Sequence, residues 1–361
     1  MCLLAHTGGT TGFPKAVMLS DKAMNAVASQ YINVSGIKRG EVFLNLKIPF
    51  VVYGILTNLH LPLCIGLESV VIPKFDANDW GKYIKKYHPN HVLAVPSYVN
   101  PMQNHPELQN MDLSCFISAG VGGDGMTDEM EISLNTFYKN HNSRAIVLKG
   151  FGMTEVCATA VVGFSYSNKI GSVGIPLPKV NIMIYDRENE HELKYGEVGE
   201  ICIKSPSRMI GYMNDEAATD QLFWKHQDGL EWLHSGDLGY LDEDGFLFIV
   251  GRMKRVILTT KDGVAYKVFP NMPEEILDSH KQVQQSCIVG VKDGDDQVLC
   301  AYIVINEDDN NKTEQIEKEL RAICDKQLPS YSRPAFYRFL NNIPLTAAGK
   351  VDYRTLEKMK I

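Results

Sequence analysis

The sequence predicts an α/β region that gives way to a β-rich stretch and then to a small α+β region. Three changes of texture predict it. Residues 1–170 alternate short β-rich runs with helical patterns, residues 171–252 carry short strands between Asp/Glu/Asn/Gly clusters, and residues 253–361 mix helices with longer strands.

In the first region, strands are expected at Glu41–Leu46, Ser69–Ile72, His91–Val95 and Ala145–Leu148. Between the last two, Met130, Leu134 and Phe137 share one helical face over Thr127–Tyr138, with Thr127 placed to cap it. Such alternation implies a largely parallel sheet covered by helices, with ligands held at loops after the strand ends. Lys149-Gly150-Phe151-Gly152 reads as one of those loops. The second region has strands at Val180–Tyr185, Glu200–Ile203 and Phe246–Val250, and Asp242-Glu243-Asp244-Gly245 is a hairpin turn by composition. This is expected to be a small antiparallel sheet or barrel. In the third, a helix near Met272–Lys281 precedes strands at Ser286–Val291 and Leu299–Ile305. A further helix then places Ile316, Leu320 and Ile323 on one face.

Composition narrows the function classes. Of 361 residues, 45% are hydrophobic and 22% charged, with a net charge of −7 and no basic block, so no nucleic-acid footprint is present. No apolar run reaches the ~20 residues of a membrane-spanning helix, and the N-terminus lacks a signal-peptide pattern. The eight cysteines form no C-x-x-C and the ten histidines no H-E-x-x-H. They read as reduced core residues of a cytoplasmic protein, with no protein-bound transition metal expected.

Four segments carry chemistry. Thr7-Gly8-Gly9-Thr10-Thr11-Gly12-Phe13-Pro14-Lys15 joins glycines that can turn N–H groups into one concavity, hydroxyl donors and a cation. It suits phosphate, and read alone it suits a mobile polar loop equally well. It is not G-x-x-x-x-G-K-[ST], because Phe13-Pro14 separates the last glycine from the lysine. Gly150-Phe151-Gly152-Met153-Thr154-Glu155 offers close backbone approach, a stacking face, a hydroxyl and a carboxylate, or else a strand-to-helix turn capped by Thr154. Asp237, in Trp232–Gly239, reads as a lone acid in a turn between apolar positions. Lys350, in Ile343–Asp352, reads alone as a solvated surface charge.

Taken together, these segments resemble the adenylate-forming superfamily of acyl-CoA synthetases, peptide-synthetase adenylation domains and luciferases. Thr7–Lys15 is similar to its T-S-G-T-T-G-x-P-K, with Gly8 in place of serine; Gly150–Glu155 to G-Y-G-x-T-E; His234–Gly239 to h-T-G-D-L-G; and Pro344–Asp352 to P-x-T-x-x-G-K-v-D. The resemblance runs in family order across nearly the whole chain. It implies the remainder of a large layered α/β adenylation domain with a small β-barrel-like subdomain, plus a mobile α+β C-terminal domain. It implies that Thr7, Gly8, Gly9, Thr10, Thr11, Gly12 and Lys15 hold phosphate, with Gly120 of Ser118–Gly122 lining the adenine pocket. Phe151 and Gly152 lie against adenine, Thr154 at the α-phosphate, and Glu155 on Mg²⁺. Asp237 and Arg252 bind ribose, Lys254 is the hinge, and Lys350 bridges carboxylate and α-phosphate.

The implied reaction joins a carboxylic acid to coenzyme A through an acyl-adenylate, at the expense of ATP, leaving AMP and pyrophosphate. Gly171–Pro178 and Gly211-Tyr212-Met213 also resemble the acyl-CoA synthetase branch. Val51 stands where that branch often has histidine, and the loop from Thr260 to Pro270 is longer than the common form. Two other outcomes stay open: loading of a carrier protein, and a non-catalytic nucleotide-binding remnant. Family members carry a substantial segment before the phosphate loop, whereas this sequence begins at it. A truncated fold completed by self-association or by a partner supplying that segment is therefore expected.

Overall fold

A computed structural model describes the chain apart from residues 8–14, 47–50, 124, 262–263, 295, 307–312, 346–350 and 360–361. The described residues fall into two units. One takes residues of 1–235 and 239–249, the other residues 236–238 and 250–361.

The first unit opens with an antiparallel hairpin of β1 (Leu3–His6) and β2 (Ala16–Leu19), in which His6 faces Ala16. Ser20 then caps the helix Asp21–Ser35 by accepting from the Ala23 N–H, and Gly36 ends it in the left-handed region. Neither the hairpin nor this helix is announced by the sequence pattern.

A seven-stranded sheet follows, built from β3 (Val42–Asn45), β4 (Glu68–Val71), β5 (His91–Ala94), β6 (Ser118–Val121), β7 (Val147–Phe151), β8 (Val161–Val162) and β9 (Ile175–Pro176). Its order is β4-β3-β5-β6-β7-β8-β9. The first five neighbours run parallel and the last two additions antiparallel. Leu44, Val92, Ala119 and Val147 of the sheet pack with Leu134, Phe137 and Tyr138 of the helix Asp128–Asn140. Each large apolar side chain buried in this way is worth about 1.5–3 kcal/mol. Thr127 accepts from the Met130 N–H at the head of that helix, as its position predicts. Buried Lys149 meets equally buried Glu131 at 2.6 Å, which ties β7 to the helix. Strand β7 runs through Lys149, Gly150 and Phe151, so these residues belong to the ladder rather than to a loop after it.

A six-stranded sheet contains β10 (Asn181–Asp186), β11 (His191–Glu192) and β12 (Gly199–Lys204), with β14 (Phe223–Lys225), β15 (Glu231–Leu241) and β16 (Leu247–Arg252). Its order is β11-β10-β12-β15-β14, and β16 pairs with β15. The short β13 (Gly211–Tyr212) leaves this sheet to pair with β2, Tyr212 opposite Val17. Asp242 makes the expected turn, its Oδ1 accepting from the N–H groups of Asp244 and Phe246. Asp237 lies within β15 and not in a turn. Pairing of β15 with β12, β14 and β16 outweighs the local turn chemistry of His234-Ser235-Gly236-Asp237.

In the second unit, β17 (Ile257–Lys261) and β18 (Val264–Val268) form a hairpin across the segment read from sequence as a loop. β19 (Val283–Asp293) and β20 (Asp296–Ile305) form a long antiparallel pair, and β21 (Phe336–Phe339) adds parallel to β20. The helices Asn271–Asp278 and Thr313–Gln327 pack with them. The latter buries Ile316, Leu320 and Cys324, so the i, i+4, i+8 row and not Ile323 is its innermost edge.

Candidate active site

The site assembles on the β1–β2 hairpin. At the mouth of the 8–14 segment the Thr7 N–H donates to the Lys15 carbonyl at 2.9 Å, and the Lys15 N–H donates back to Thr7 Oγ1 at 3.0 Å. Thr7 and Lys15 are thereby pinned across the neck. Gly8, Gly9, Thr10, Thr11 and Gly12 themselves lie outside the described residues. Strand β13 extends the ladder, with the Ile210 N–H donating to Met18 and the Met213 N–H to Ala16.

That pairing delivers Tyr212. The Lys15 ammonium lies over its ring, 4.6 Å from the centroid. The Tyr212 hydroxyl donates to Glu155 Oε1 at 2.6 Å. Burial pushes the Tyr212 phenol far above its ordinary value, and the Glu155 charge and hydrogen bond add to this, so Tyr212 is a permanent donor. The lysine of the glycine-rich loop and the acid of the 150–155 segment thus meet on one tyrosine, 197 residues beyond the lysine (Lys15 to Tyr212). In the sequence Gly211-Tyr212-Met213 resembles a segment of the acyl-CoA synthetase branch, and that resemblance gives it no place in the site. Nothing local marks a tyrosine whose two partners come from other elements.

Glu155 is buried in a single 3₁₀ turn, Thr154–Val156, directly after β7. Thr154 is the first residue of that turn and not its cap, which is Met153. The backbone around it is drawn tight. Cys157 (φ 55°) and Ala158 (φ 75°) both take the left-handed conformation that non-glycine residues avoid. The Ala158 N–H returns to Met153, and the Met209 N–H donates to the Glu155 carbonyl. A Cβ on Gly152 would stand 2.0 Å from the Ala158 carbonyl oxygen, so only glycine fits. Phe151 is half-buried against the core beside this turn, and Gly120 lies on β6, two strands from β8. Val156 is fully buried in the same core, whereas Val51 is exposed. The Glu155 carboxylate, a hard oxygen ligand oriented by a phenol, suits Mg²⁺, which takes one or two carboxylates and keeps its remaining positions for water and phosphate.

In the second unit, Asp237 is buried and its Oδ1 accepts from Arg252 Nε at 2.8 Å, the arginine half-exposed. Gly236 adopts φ 72° immediately before it. Lys254 is exposed in the 3₁₀ turn Met253–Arg255 that follows β16. Leu345 bridges to Val351, and the Asp352 N–H donates to Pro344. Lys350, between those pairs, lies outside the described residues, as do residues 262–263.

The AMP-binding enzyme family matches residues 1–213, and the AMP-binding enzyme C-terminal domain matches residues 273–350. A long-chain-fatty-acid–CoA ligase of Bacillus subtilis is 32% identical over 362 residues, covering 99% of this chain and 61% of the relative. A probable 4-coumarate–CoA ligase 1 of Dictyostelium discoideum is 32% identical over 360 residues, with 98% and 62% covered. The chain therefore spans about three-fifths of the length of these curated relatives. Among solved structures, o-succinylbenzoate CoA synthetase of Bacillus subtilis with its acyl-adenylate intermediate OSB-AMP superposes with a TM-score of 0.84. It is 26% identical, with 99% of this chain and 69% of that one covered. The same enzyme with ATP and a magnesium ion gives 0.82 at 26% identity, with 98% and 69% covered. With two family domains matched in order, and an α/β unit and a smaller α+β unit to carry them, the chain belongs to the AMP-binding enzyme family.

Proposed function

We propose that this chain carries the chemistry of an ATP-dependent carboxylic acid–CoA ligase working through an acyl-adenylate. The convergence of Lys15 and Glu155 on Tyr212 carries the reading, because phosphate-binding and metal-binding groups have to sit side by side to grip one Mg·ATP. The CoA-ligase names of the relatives, and the ATP, magnesium and acyl-adenylate in the o-succinylbenzoate CoA synthetase structures, support it.

In this reading Thr7 and the 8–12 segment cradle the phosphates, and Lys15 neutralises them. Thr154 contacts the α-phosphate, Glu155 holds Mg²⁺, and Phe151, Gly152 and Gly120 flank adenine. Asp237 accepts from the ribose hydroxyls and Arg252 steadies it. The acid attacks the α-phosphorus and pyrophosphate leaves, with Lys350 stabilising the charge that gathers on the α-phosphate. Backbone rotation at Lys254 then withdraws Lys350, and coenzyme A attacks the acyl carbon to release AMP. Eight free thiols, five of them buried, fit a reducing compartment such as the cytoplasm. Among the described residues no helix is long and apolar enough to cross a membrane.

The test is ATP–pyrophosphate exchange across a panel of carboxylic acids, followed by thioester formation with coenzyme A. Acid-dependent exchange is the expected result. A folded sample that exchanges with no acid overturns the activity, and exchange that passes acyl groups only to a carrier protein overturns coenzyme A as acceptor.

A further inference from the structure

The six-stranded sheet holds a second cluster of chemically capable side chains that shares no residue with the site above. Cys202 on β12, His226 just beyond β14 and His234 on β15 each present a donor atom within 4.8 Å of the others. Cys202 Sγ lies 3.5 Å from His234 Nδ1 and 3.8 Å from its Nε2. The two Nε2 atoms of His226 and His234 are 2.9 Å apart. Cys202 and His234 are buried, while His226 is half-buried and opens the cluster towards solvent.

Strand geometry explains the meeting. Glu200 and Cys202 alternate onto one face of β12, and Trp232 and His234 onto one face of β15, its neighbour in the sheet. Antiparallel pairing of β14 with β15 sets Trp224 opposite Trp232, which brings His226 back over the same face. The ligands lie 32 and 8 residues apart along the chain, so no metal-binding spacing shows in the sequence.

Glu200 completes the arrangement. Its Oε2 is 2.7 Å from His234 Nδ1, and Arg187 lies 3.8 Å from the same carboxylate oxygen. A carboxylate can only accept, so His234 carries its proton on Nδ1 and turns the Nε2 lone pair towards His226 and Cys202. This carboxylate–imidazole pair is the arrangement that orients metal-bound histidines. Tyr185 stacks on His226 at 4.2 Å and Trp224 packs on His234 at 4.2 Å, holding both rings. A hydrogen-bonded chain from Glu200 through His234 to His226 accounts for only part of this. It leaves the Cys202 thiol 3.5 Å from the nearer His234 nitrogen, without a strong bond to that ring. For metal bonds of about 2.0 Å to nitrogen and 2.3 Å to sulfur, tetrahedral ligand atoms stand roughly 3.3–3.5 Å apart. The observed separations bracket that range.

We propose that Cys202, His226 and His234 bind one divalent cation of the zinc class, with Glu200 orienting His234 and water in the fourth position. Binding forms one metal–sulfur and two metal–nitrogen bonds and releases the Cys202 thiol proton to solvent. The ion ties β12, β15 and the end of β14 together.

The full chain, stripped with a chelating resin, is titrated with zinc against a chromophoric chelator and, separately, with cobalt(II). Tight uptake of about one equivalent is expected, with a thiolate-to-cobalt charge-transfer band and tetrahedral ligand-field bands. Quenching of tryptophan fluorescence by cobalt should accompany it, since Trp224 and Trp232 flank the site. His226→Gln, at a half-buried position, should abolish tight binding. Cys202→Ser should remove the charge-transfer band, and Glu200→Gln should weaken affinity by about 10- to 100-fold. Cys64, 3.6 Å from His60 on the surface, is the rival thiol–imidazole pair, and Cys64→Ser should change nothing. The proposal is overturned if folded protein with a cooperative melt retains no metal. It is also overturned if uptake survives both His226→Gln and Cys202→Ser, or vanishes in Cys64→Ser.

Discussion

The Tyr212 hydroxyl donates to Glu155 Oε1 at 2.6 Å while the Tyr212 ring lies under the Lys15 ammonium. One side chain therefore holds the acid and the base of the candidate site in register. Tyr212→Phe keeps the ring and removes only the donor. A hydrogen bond to a buried charge is worth about 1.5–3 kcal/mol, so the urea midpoint should fall accordingly. The KM for Mg·ATP in exchange assays should rise roughly tenfold, equivalent to ~1.4 kcal/mol. An unchanged KM would reduce Tyr212 to a purely structural role.

Asp237 meets Arg252 through Oδ1 on a buried strand position. If it reads the ribose, Asp237→Ala should weaken AMP binding by about 1.5–3 kcal/mol, roughly 10- to 100-fold. Binding of 2′,3′-dideoxy-AMP should hardly change. Calorimetry with both nucleotides distinguishes the cases, and equal losses would remove the ribose contact from the reading.

Lys350 is expected to act in one half-reaction only. Lys350→Ala should slow acid-dependent ATP–pyrophosphate exchange by about 100-fold or more. Thioester formation from a supplied acyl-adenylate should continue at close to the original rate. Equal losses in both steps would place Lys350 elsewhere.

Gly152 sits where a methyl group would collide with the Ala158 carbonyl. Because the neighbour is backbone already strained at Cys157 and Ala158, it has little freedom to yield. Gly152→Ala should destabilise the first unit by about 3 kcal/mol, read from chemical denaturation, and should lower exchange activity with it.

Asp278, at the end of the helix Asn271–Asp278, has its carboxyl pushed up to about 7 by burial, with Glu274 and Glu275 adding to the rise and Ser286 opposing it. The native state keeps a proton that the unfolded chain has lost above its ordinary value of 3.8. Stability is thus fully present below that value, falls as pH rises towards about 7, and then levels. At about 1.4 kcal/mol per tenfold shift, the fall is at most ~4 kcal/mol. Melts from pH 4 to 8 should show it in the second unit, and Asp278→Asn should flatten the profile.

Much of this protein was legible along the chain. Hydrophobic period and turn residues marked β3, β4, β5, β10, β12, β19 and β20, and Thr127 marked its helix, because those signals act between near neighbours. The resemblance of the ordered motifs to the family made Thr7, Lys15, Thr154, Glu155, Asp237 and Lys350 candidates, since each motif is a short run of residues. What sequence could not supply was partnership. Asp237 reads as a turn residue until the pairing of β15 with its neighbours is known, and Tyr212 has no role until β13 pairs with β2. Cys202, His226 and His234 looked like scattered core and surface residues. Strand pairing decides which side chains share a face, and pairing is a non-local choice set by packing of the whole sheet. Composition and spacing thus determined the chemical vocabulary, and the resemblance of the ordered motifs pointed to the family. Only the tertiary structure determined that Lys15 and Glu155 share Tyr212, and that a thiol and two imidazoles meet behind Glu200.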